Sequence, residues 1–262
     1  MLAESASRLN IQVIILDSGE HGPAKQIVAP NTPQLSHIDG SFNDPFKIRQ
    51  LAAKVDVLTV EIEHVDVEAL QDVENSTNVE IHPKPTTIKI IQDKFKQKEH
   101  LSAHGLPVSD YLNVNNTPEA IRAAGEKLGY PFMLKSRTSA YDGRGNSVVH
   151  QESQIEVAIT DLQGRPLYAE KWVPFVKEIA VMVVNTARGE IMSYPVVETV
   201  HKDNICHLVL APLRSRDASL EDRARKIAER AVRSLFGAGV FGVEMFLMKD
   251  GSHLSDVSST SR

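Results

Sequence analysis

The chemistry this sequence could perform rests on a lysine, a glycine loop and three glutamates. Lys135 closes the apolar run "PFML" and opens the segment "KSRTSAYDGRGN" (Lys135–Asn146), which carries two glycines, an aspartate and two arginines. A strand-end lysine beside such a loop suits an anion. The ammonium and the backbone N–H groups neutralise phosphate oxygens, and Arg144 on a flexible hinge could cover them. The segment is not G-x-x-x-x-G-K-[ST], which excludes a P-loop, and it lacks the strand–turn–helix setting of a dinucleotide fingerprint. Taken alone, Lys135 reads more readily as an ordinary surface lysine at a strand end.

Two further stretches extend the theme. "EKWVPFVKE" sets Glu170 and Glu178 on either side of an apolar connection containing Pro174. An adenine needs an apolar slot with backbone partners at its edge, and a ribose needs a carboxylate that accepts from its hydroxyls. Glu170, the backbone of Val173 and Glu178 could supply these, although a strand edge decorated with acids reads the same way. In "GVEMFL", Glu244 interrupts a nearly all-apolar strand. A buried carboxylate must be paired or bound to a metal. Mg²⁺ on nucleotide phosphates and an ion pair with a Lys or Arg are both open for it.

The elements that must hold these residues alternate. "MLAESASRLN" has helical spacing, and "IQVIILD" is a compact run expected as a buried strand. "PFKIRQLAAKV" reads as helix, "DVLTVEIE" as strand and "VDVEALQDV" as helix, the alternation of parallel βαβ units. The proline-punctuated "IHPKPTT" is expected to close a first domain near residue 85. "TTIKIIQDKFKQKEHLSAHGLP" is expected as one long helix ending at Gly105. A strand, the helix "TPEAIRAAGEKLG" and the strand "PFMLK" follow. After the loop come the helix "SQIEVAITDL", the strands "PLYAEKWV", "KEIAVMVV", "EIMSYPVVETV" and "ICHLVLAP", the helix "LEDRARKIAERAVRSLF" and the strand "GVFGVEMFLMKDG". The serine-rich "SHLSDVSSTSR" reads as a solvated tail.

Composition bounds the function. The 262 residues carry a net charge of −5, which disfavours a generic nucleic-acid binder, so phosphate binding should be local. Cys206 is the only cysteine, excluding an intrachain disulfide and a cysteine-based zinc site. No apolar run reaches membrane-span length and the first residues lack a signal-peptide core, so a cytoplasmic setting is expected.

In order along the chain, "QDKFKQK", "AYDGRGN", "AEKWVPFVKE", "YPVVETVH" and "GVEMFL" resemble the ATP-grasp superfamily. Within it they resemble N5-carboxyaminoimidazole ribonucleotide synthetase, most of all the fungal type, where this module is the amino-terminal part of a bifunctional carboxylase. The resemblance covers residues 1 to about 252. It implies an α/β chain with an ATP-grasp fold preceded by a small Rossmann-like pre-ATP-grasp domain. The domains would be 1–85, 86–252 (subdomains about 86–165 and 166–252) and a non-family tail, 253–262. Lys94 and Lys135 would contact ATP phosphates, beneath a loop of Ala140, Gly143, Gly145 and Asn146. Glu170, Lys171, Trp172 and Val173 would line the adenine, Glu178 the ribose, with His201 near the nucleotide and Glu244 a Mg²⁺ ligand. Tyr141, Asp142 and Arg144 would face the imidazole ribonucleotide. The implied reaction carboxylates 5-aminoimidazole ribonucleotide with bicarbonate through carboxyphosphate, in purine synthesis. The full-length family implies a homodimer.

Two departures qualify this. The pattern expects a strand and a glycine turn before the first helix, leaving the first sheet one strand short. At the other end Asp256 and Val257 stand where an Asn–Glu pair is expected, so the second Mg²⁺ carboxylate is absent and impaired turnover is expected. An ATP-grasp ligase with another acceptor and a non-catalytic nucleotide-binding remnant are the alternatives.

Overall fold

The computed structural model describes residues 2–30, 32–138, 145–162, 164–202, 205–215, 217–249 and 254–261, the last stretch by its backbone. The chain divides into two compact units, Met1–Lys89 and Ile90–Arg262.

The first unit runs α1 (Leu2–Arg8), β1 (Leu16–Asp17), α2 (Pro23–Ile27), β2 (Ile38–Asp39), α3 (Pro45–Ala52), β3 (Val57–Thr59), α4 (Val67–Ser76), β4 (Glu80–His82) and α5 (Pro85–Gln92). Asp44 and Asp66 cap α3 and α4 by accepting the first backbone N–H groups of each helix. Ile48, Leu58, Leu70, Val73, Ile81 and Ile88 form its core. The parallel pairing expected from the alternation is present, β1 with β2 and β3 with β4, as separate two-stranded sheets.

The expected strand "IQVIILD" shrinks to Leu16–Asp17, and "DVLTVEIE" to Val57–Thr59. A strand extends only where a neighbouring backbone completes its ladder. Residues of both runs instead line one apolar cavity of about 340 Å³, with Leu2, Ile14, Leu58, Val60 and Leu70 in its wall. Val13–Leu16 are consequently half-buried rather than core.

The unit boundary lies inside α5, where Ile88 joins the first core and Ile91 the second. The second unit continues with α6 (Lys94–Ala103), β5 (Tyr111–Val114), α7 (Pro118–Leu128), β6 (Phe132–Ser136), β7 (Asn146–Val149), α8 (Ile155–Asp161), β8 (Leu167–Lys171), β9 (Phe175–Asn185), β10 (Ile191–Ser193), β11 (Val197–Lys202), β12 (Ile205–Leu210), α9 (Ala218–Arg233), β13 (Gly239–Met248) and β14 (Leu254–Ser261).

Two antiparallel sheets dominate it. The smaller has the order β5-β8-β6-β7, and its inner face (Phe132, Leu134, Leu167, Ala169) packs with Ile121 of α7 and Ile155 of α8. The larger has the order β12-β11-β9-β13-β14, with β10 beside β9. Its inner face (Ile179, Val181, Val183, Phe241, Val243, Met245) packs with Leu220, Ala224, Ala228 and Ala231 of α9. Alanines at helical spacing let that helix approach the sheet closely.

Three expectations are corrected here. "EIMSYPVVETV" is two strands, since Pro195 falls between β10 and β11 and has no N–H for a ladder. The long helix breaks at Asp93, which caps α6. The serine-rich end is not an irregular tail: Leu254–Ser261 pairs along β13, whose edge offers backbone donors and acceptors whatever the side chains opposite.

Candidate functional site

The break at Asp93 assembles one edge of the site. Its carboxylate accepts from the N–H groups of Phe95 and Lys96 at 3.1 and 3.2 Å. The same carboxylate takes Nε and Nη2 of Arg137 at 3.1 and 2.6 Å. The Lys94 N–H donates to the Arg137 carbonyl at 2.8 Å, and the Arg137 guanidinium lies 4.8 Å from the Phe95 ring centroid. The start of α6 is therefore tied to the end of β6, and Lys94 and Lys135 are brought to one region.

Strand alternation sets the next layer. In the smaller sheet Lys135 lies opposite Tyr168, and Met133 opposite Glu170, so Lys135 and Glu170 are diagonal neighbours on the face away from the α7/α8 core. Phe95 packs edge-on against Tyr111 and Tyr168 on that face, which brings Lys98 of α6 over Glu170. Glu170 is 2 % exposed. Its Oε1 accepts from Ser109 Oγ at 2.6 Å and lies 3.2 Å from Lys98 Nζ. Its Oε2 lies 2.8 Å from Lys135 Nζ.

The larger sheet supplies a carboxylate face. Ile179 and Val181 point to the core, so Glu178 and Ala180 point away from it. Glu178 pairs across to Thr199 on β11 and Phe246 on β13, and Glu244 pairs with Ala180. His201 Nδ1 lies 2.8 Å from Glu178 Oε2. Partial burial, then the charge of Glu244, push the Glu178 carboxyl above the usual carboxylate range, while His201 and Lys135 oppose the rise. Lys135 and Glu178 thus lie within electrostatic reach. Glu244 does not lie in an all-apolar setting: Val243 and Met245 are buried, and it stands half-buried on the opposite face. Phe175 and Phe246 stack with centroids 4.4 Å apart, an apolar plate beside the carboxylates.

Of the residues expected from sequence, Lys94, Lys135, Glu170, Glu178, His201 and Glu244 all fall in the second unit around these two faces. Ala140, Tyr141, Asp142, Gly143 and Arg144 lie outside the described residues. Gly145 (φ 98°) takes a left-handed conformation that favours glycine, and its carbonyl accepts the Ser136 N–H at 2.7 Å. Asn146 pairs with Lys135 at the start of β7. Lys171 is exposed with Nζ 3.2 Å from Asp110, Trp172 is surface-exposed, and the Val173 carbonyl accepts from the Phe175 N–H.

Sequence reading missed Lys98, Ser109, Arg137, Thr199 and the Phe175–Phe246 pair. Lys98 had a signal, a lysine between Phe95 and Leu101 on the apolar side of a helix. Thr199 had none; its buried hydroxyl has no hydrogen-bond partner among the described residues and it pairs with Glu178. Asp256 falls at a register shift in β14, and Ser258 pairs opposite Glu244.

A helix-start lysine, a strand lysine with a glycine-ended loop, and a second sheet carrying carboxylates define the ATP-grasp class of architecture. Residues 99–260 match the ATP-grasp domain and residues 1–92 the ribonucleotide synthetase preATP-grasp domain. The chain belongs to the ATP-grasp family. It is 53 % identical over 254 residues to a phosphoribosylaminoimidazole carboxylase of Ogataea methanolica, covering 97 % of this chain and 46 % of that protein. It is 31 % identical over 258 residues to an N5-carboxyaminoimidazole ribonucleotide synthase of Synechococcus elongatus, covering 98 % of this chain and 63 % of that protein. Among solved structures, the Aspergillus clavatus carboxyaminoimidazole ribonucleotide synthase complexed with ATP superposes with a TM-score of 0.91. The two are 48 % identical, over 98 % of this chain and 66 % of that one. The Aspergillus clavatus N5-carboxyaminoimidazole synthase in complex with ADP and 5-aminoimidazole ribonucleotide gives a TM-score of 0.90 at 47 % identity, over 98 % of this chain and 66 % of that one. The chain spans just under half the length of the fungal relatives it matches. Among the described residues no helix is long and apolar enough to cross a membrane.

Proposed function

We propose that this chain is the nucleotide-binding module of an ATP-dependent carboxylase that joins bicarbonate to 5-aminoimidazole ribonucleotide through carboxyphosphate, in purine biosynthesis. The observation that carries the reading is the meeting of Lys94, Lys135 and Glu170 on one face with Glu178, Glu244 and His201 on another. The ligands of the two Aspergillus complexes, ATP in one and ADP with 5-aminoimidazole ribonucleotide in the other, support this substrate pair. We assign the adenine to the edge at Glu170–Val173 beside the Phe175–Phe246 plate. Glu178 would accept from the ribose hydroxyls. Lys94 and Lys135 would hold the phosphates beneath the loop from Ala140 to Asn146, with Tyr141, Asp142 and Arg144 toward the acceptor.

Mg²⁺ fits this face. Glu178 lies opposite Phe246 and Glu244 opposite Ala180, so the two carboxylates are diagonal neighbours on one face; Glu244 accordingly helps to raise the Glu178 carboxyl, and a divalent cation would relieve that repulsion. Glu244 would be its protein ligand. No group of three or more metal-ligating side chains is present among the described residues. That suits an ion whose remaining ligands are phosphate oxygens and water. When bound, Mg²⁺ neutralises charge on the transferring phosphoryl group. The protein's own share is positioning: the Asp93–Arg137 tie places Lys94, and the sheet places Lys135 and the glutamates.

The test is calorimetry of ATP binding. Lys135→Ala should weaken ATP by about 1.5–3 kcal/mol, the scale of charge-assisted hydrogen bonds. Equal affinity in mutant and parent would remove Lys135 from the phosphate site. Phosphate release from Mg·ATP, with bicarbonate and 5-aminoimidazole ribonucleotide both required, reports on the carboxylation itself.

A further inference from the structure

Resting on the nucleotide reading above, we propose that Thr199 is a further contact to the ribose of the nucleotide, its hydroxyl donating to the same sugar hydroxyl that donates to Glu178. Thr199 is 9 % exposed, and its buried side-chain oxygen makes no hydrogen bond among the described residues. A buried hydroxyl without a partner is uncommon and destabilising by itself, whereas valine would fill the same space without that cost. The fold does not use this hydroxyl, so its partner comes from outside the fold.

The register places it where a ribose would lie. Ile179 packs in the core, so Glu178 points to the opposite face; Thr199 lies directly opposite Glu178 on β11 and shares that face. Across the sheet the row reads Val209, Thr199, Glu178, Phe246. His201, two residues along β11, engages Glu178, with Nδ1 2.8 Å from Oε2. The pair of Thr199 and Glu178 is complementary to a sugar hydroxyl. An ionised carboxylate only accepts, so a hydroxyl bound to Glu178 donates its proton there and keeps its lone pairs for a donor. The side chains of Val209 and Phe246 have no such donor, and the Thr199 O–H is one. Facing Cβ atoms in such a pair lie about 4.5–5.5 Å apart, a span that one hydroxyl can bridge. Rotation about χ1 exchanges the threonine hydroxyl and methyl between staggered positions, and a hydroxyl that holds no bond gives none up in turning.

The experiment sets one protein hydroxyl against one ligand hydroxyl. ATP, 2′-deoxyATP and 3′-deoxyATP are titrated calorimetrically into the parent, Thr199→Val and Thr199→Ser, and each protein is unfolded in urea without nucleotide. The parent's ATP affinity is measured first: a parent that binds no ATP overturns the nucleotide reading, and this inference with it. Thr199→Val is expected to weaken ATP about fivefold, the size of one neutral hydrogen bond. For the deoxynucleotide that lacks the hydroxyl in question, parent and Thr199→Val should agree within about twofold, because the protein hydroxyl then has nothing to bind. Thr199→Ser keeps the hydroxyl and should hold ATP within about twofold of the parent. The urea midpoint of Thr199→Val should equal or exceed that of the parent, since no bond within the fold is lost. Where the parent binds ATP, three results each overturn this inference alone. They are an unchanged ATP affinity in Thr199→Val, an equal loss for ATP and both deoxynucleotides, and a lower urea midpoint for Thr199→Val, which would assign the hydroxyl to the fold.

Discussion

Replacing Asp93 by alanine should damage this protein more than its single position suggests, because one carboxylate serves two structures. It caps α6 through the N–H groups of Phe95 and Lys96, and loss of a cap typically costs about 1 kcal/mol. It also receives Arg137 through two nitrogens, in a pair whose side chains are 15 % and 19 % exposed, so solvent screens it only in part. Leaving a guanidinium in that setting without its partner adds about 1.5–3 kcal/mol. The sum is a loss of about 2.5–4 kcal/mol for Asp93→Ala. Asp93→Asn keeps the cap and gives up the charge, so it should lose about half as much. Urea unfolding of Asp93→Ala, Arg137→Met and the double variant, monitored through the second unit, separates the contributions. The double variant should be less destabilised than the sum of the singles by about 1–2 kcal/mol. Arg137 should retain part of its contribution in Asp93→Ala, since its contact with the Phe95 ring does not involve Asp93. A loss below about 1 kcal/mol for Asp93→Ala, or strict additivity, would refute the claim that this carboxylate ties α6 to β6.

Two predictions concern pH. Burial and Glu244 raise the Glu178 carboxyl above its ordinary 4.5, so the folded state holds that proton more tightly than the unfolded chain does. The stability it contributes is full below 4.5 and is lost as pH rises through the folded value. Glu178→Gln should remove this loss, visible as a smaller drop in Tm between pH 4.5 and pH 7, while an NMR titration of the parent follows the proton itself. His100 behaves oppositely: burial first, then His104 with its ring 4.3 Å away, hold it below its ordinary 6.5. Its neutral ring contacts the Ser234 carbonyl and hydroxyl at 3.0 Å. Stability is therefore full above 6.5 and falls as acid carries pH down through the folded value. His100→Gln should flatten that acid limb in urea midpoints, and an unchanged limb would assign it to another group.

The periodicity of this sequence determined most of the second unit by itself. The amphipathic spacing of α7 and α9, and the apolar runs of β6, β9 and β13, are local patterns that survive in any packing, so their faces were legible residue by residue. Lys135, Glu170, Glu178 and Glu244 could be singled out as types and spacings, while Lys94 and His201 entered only through the family resemblance. Tertiary structure decided what each of them does in its surroundings. Glu244 reads as a buried acid in an apolar run, yet sheet alternation places it on the face away from the core. Asp93 reads as one more polar residue in a long helix, until Arg137, distant in sequence, makes it a cap and a tie. Lys98 and Ser109 meet Glu170 only when α6 crosses β8, because an ion pair between residues so far apart in sequence is a property of three-dimensional proximity. The first unit shows the reverse failure. "IQVIILD" and "DVLTVEIE" carry every local mark of buried strands, but a strand is completed by its neighbours, and both open onto the same cavity. The serine-rich end has none of those marks and still pairs along β13, because backbone hydrogen bonds to an exposed strand edge do not depend on an apolar sequence.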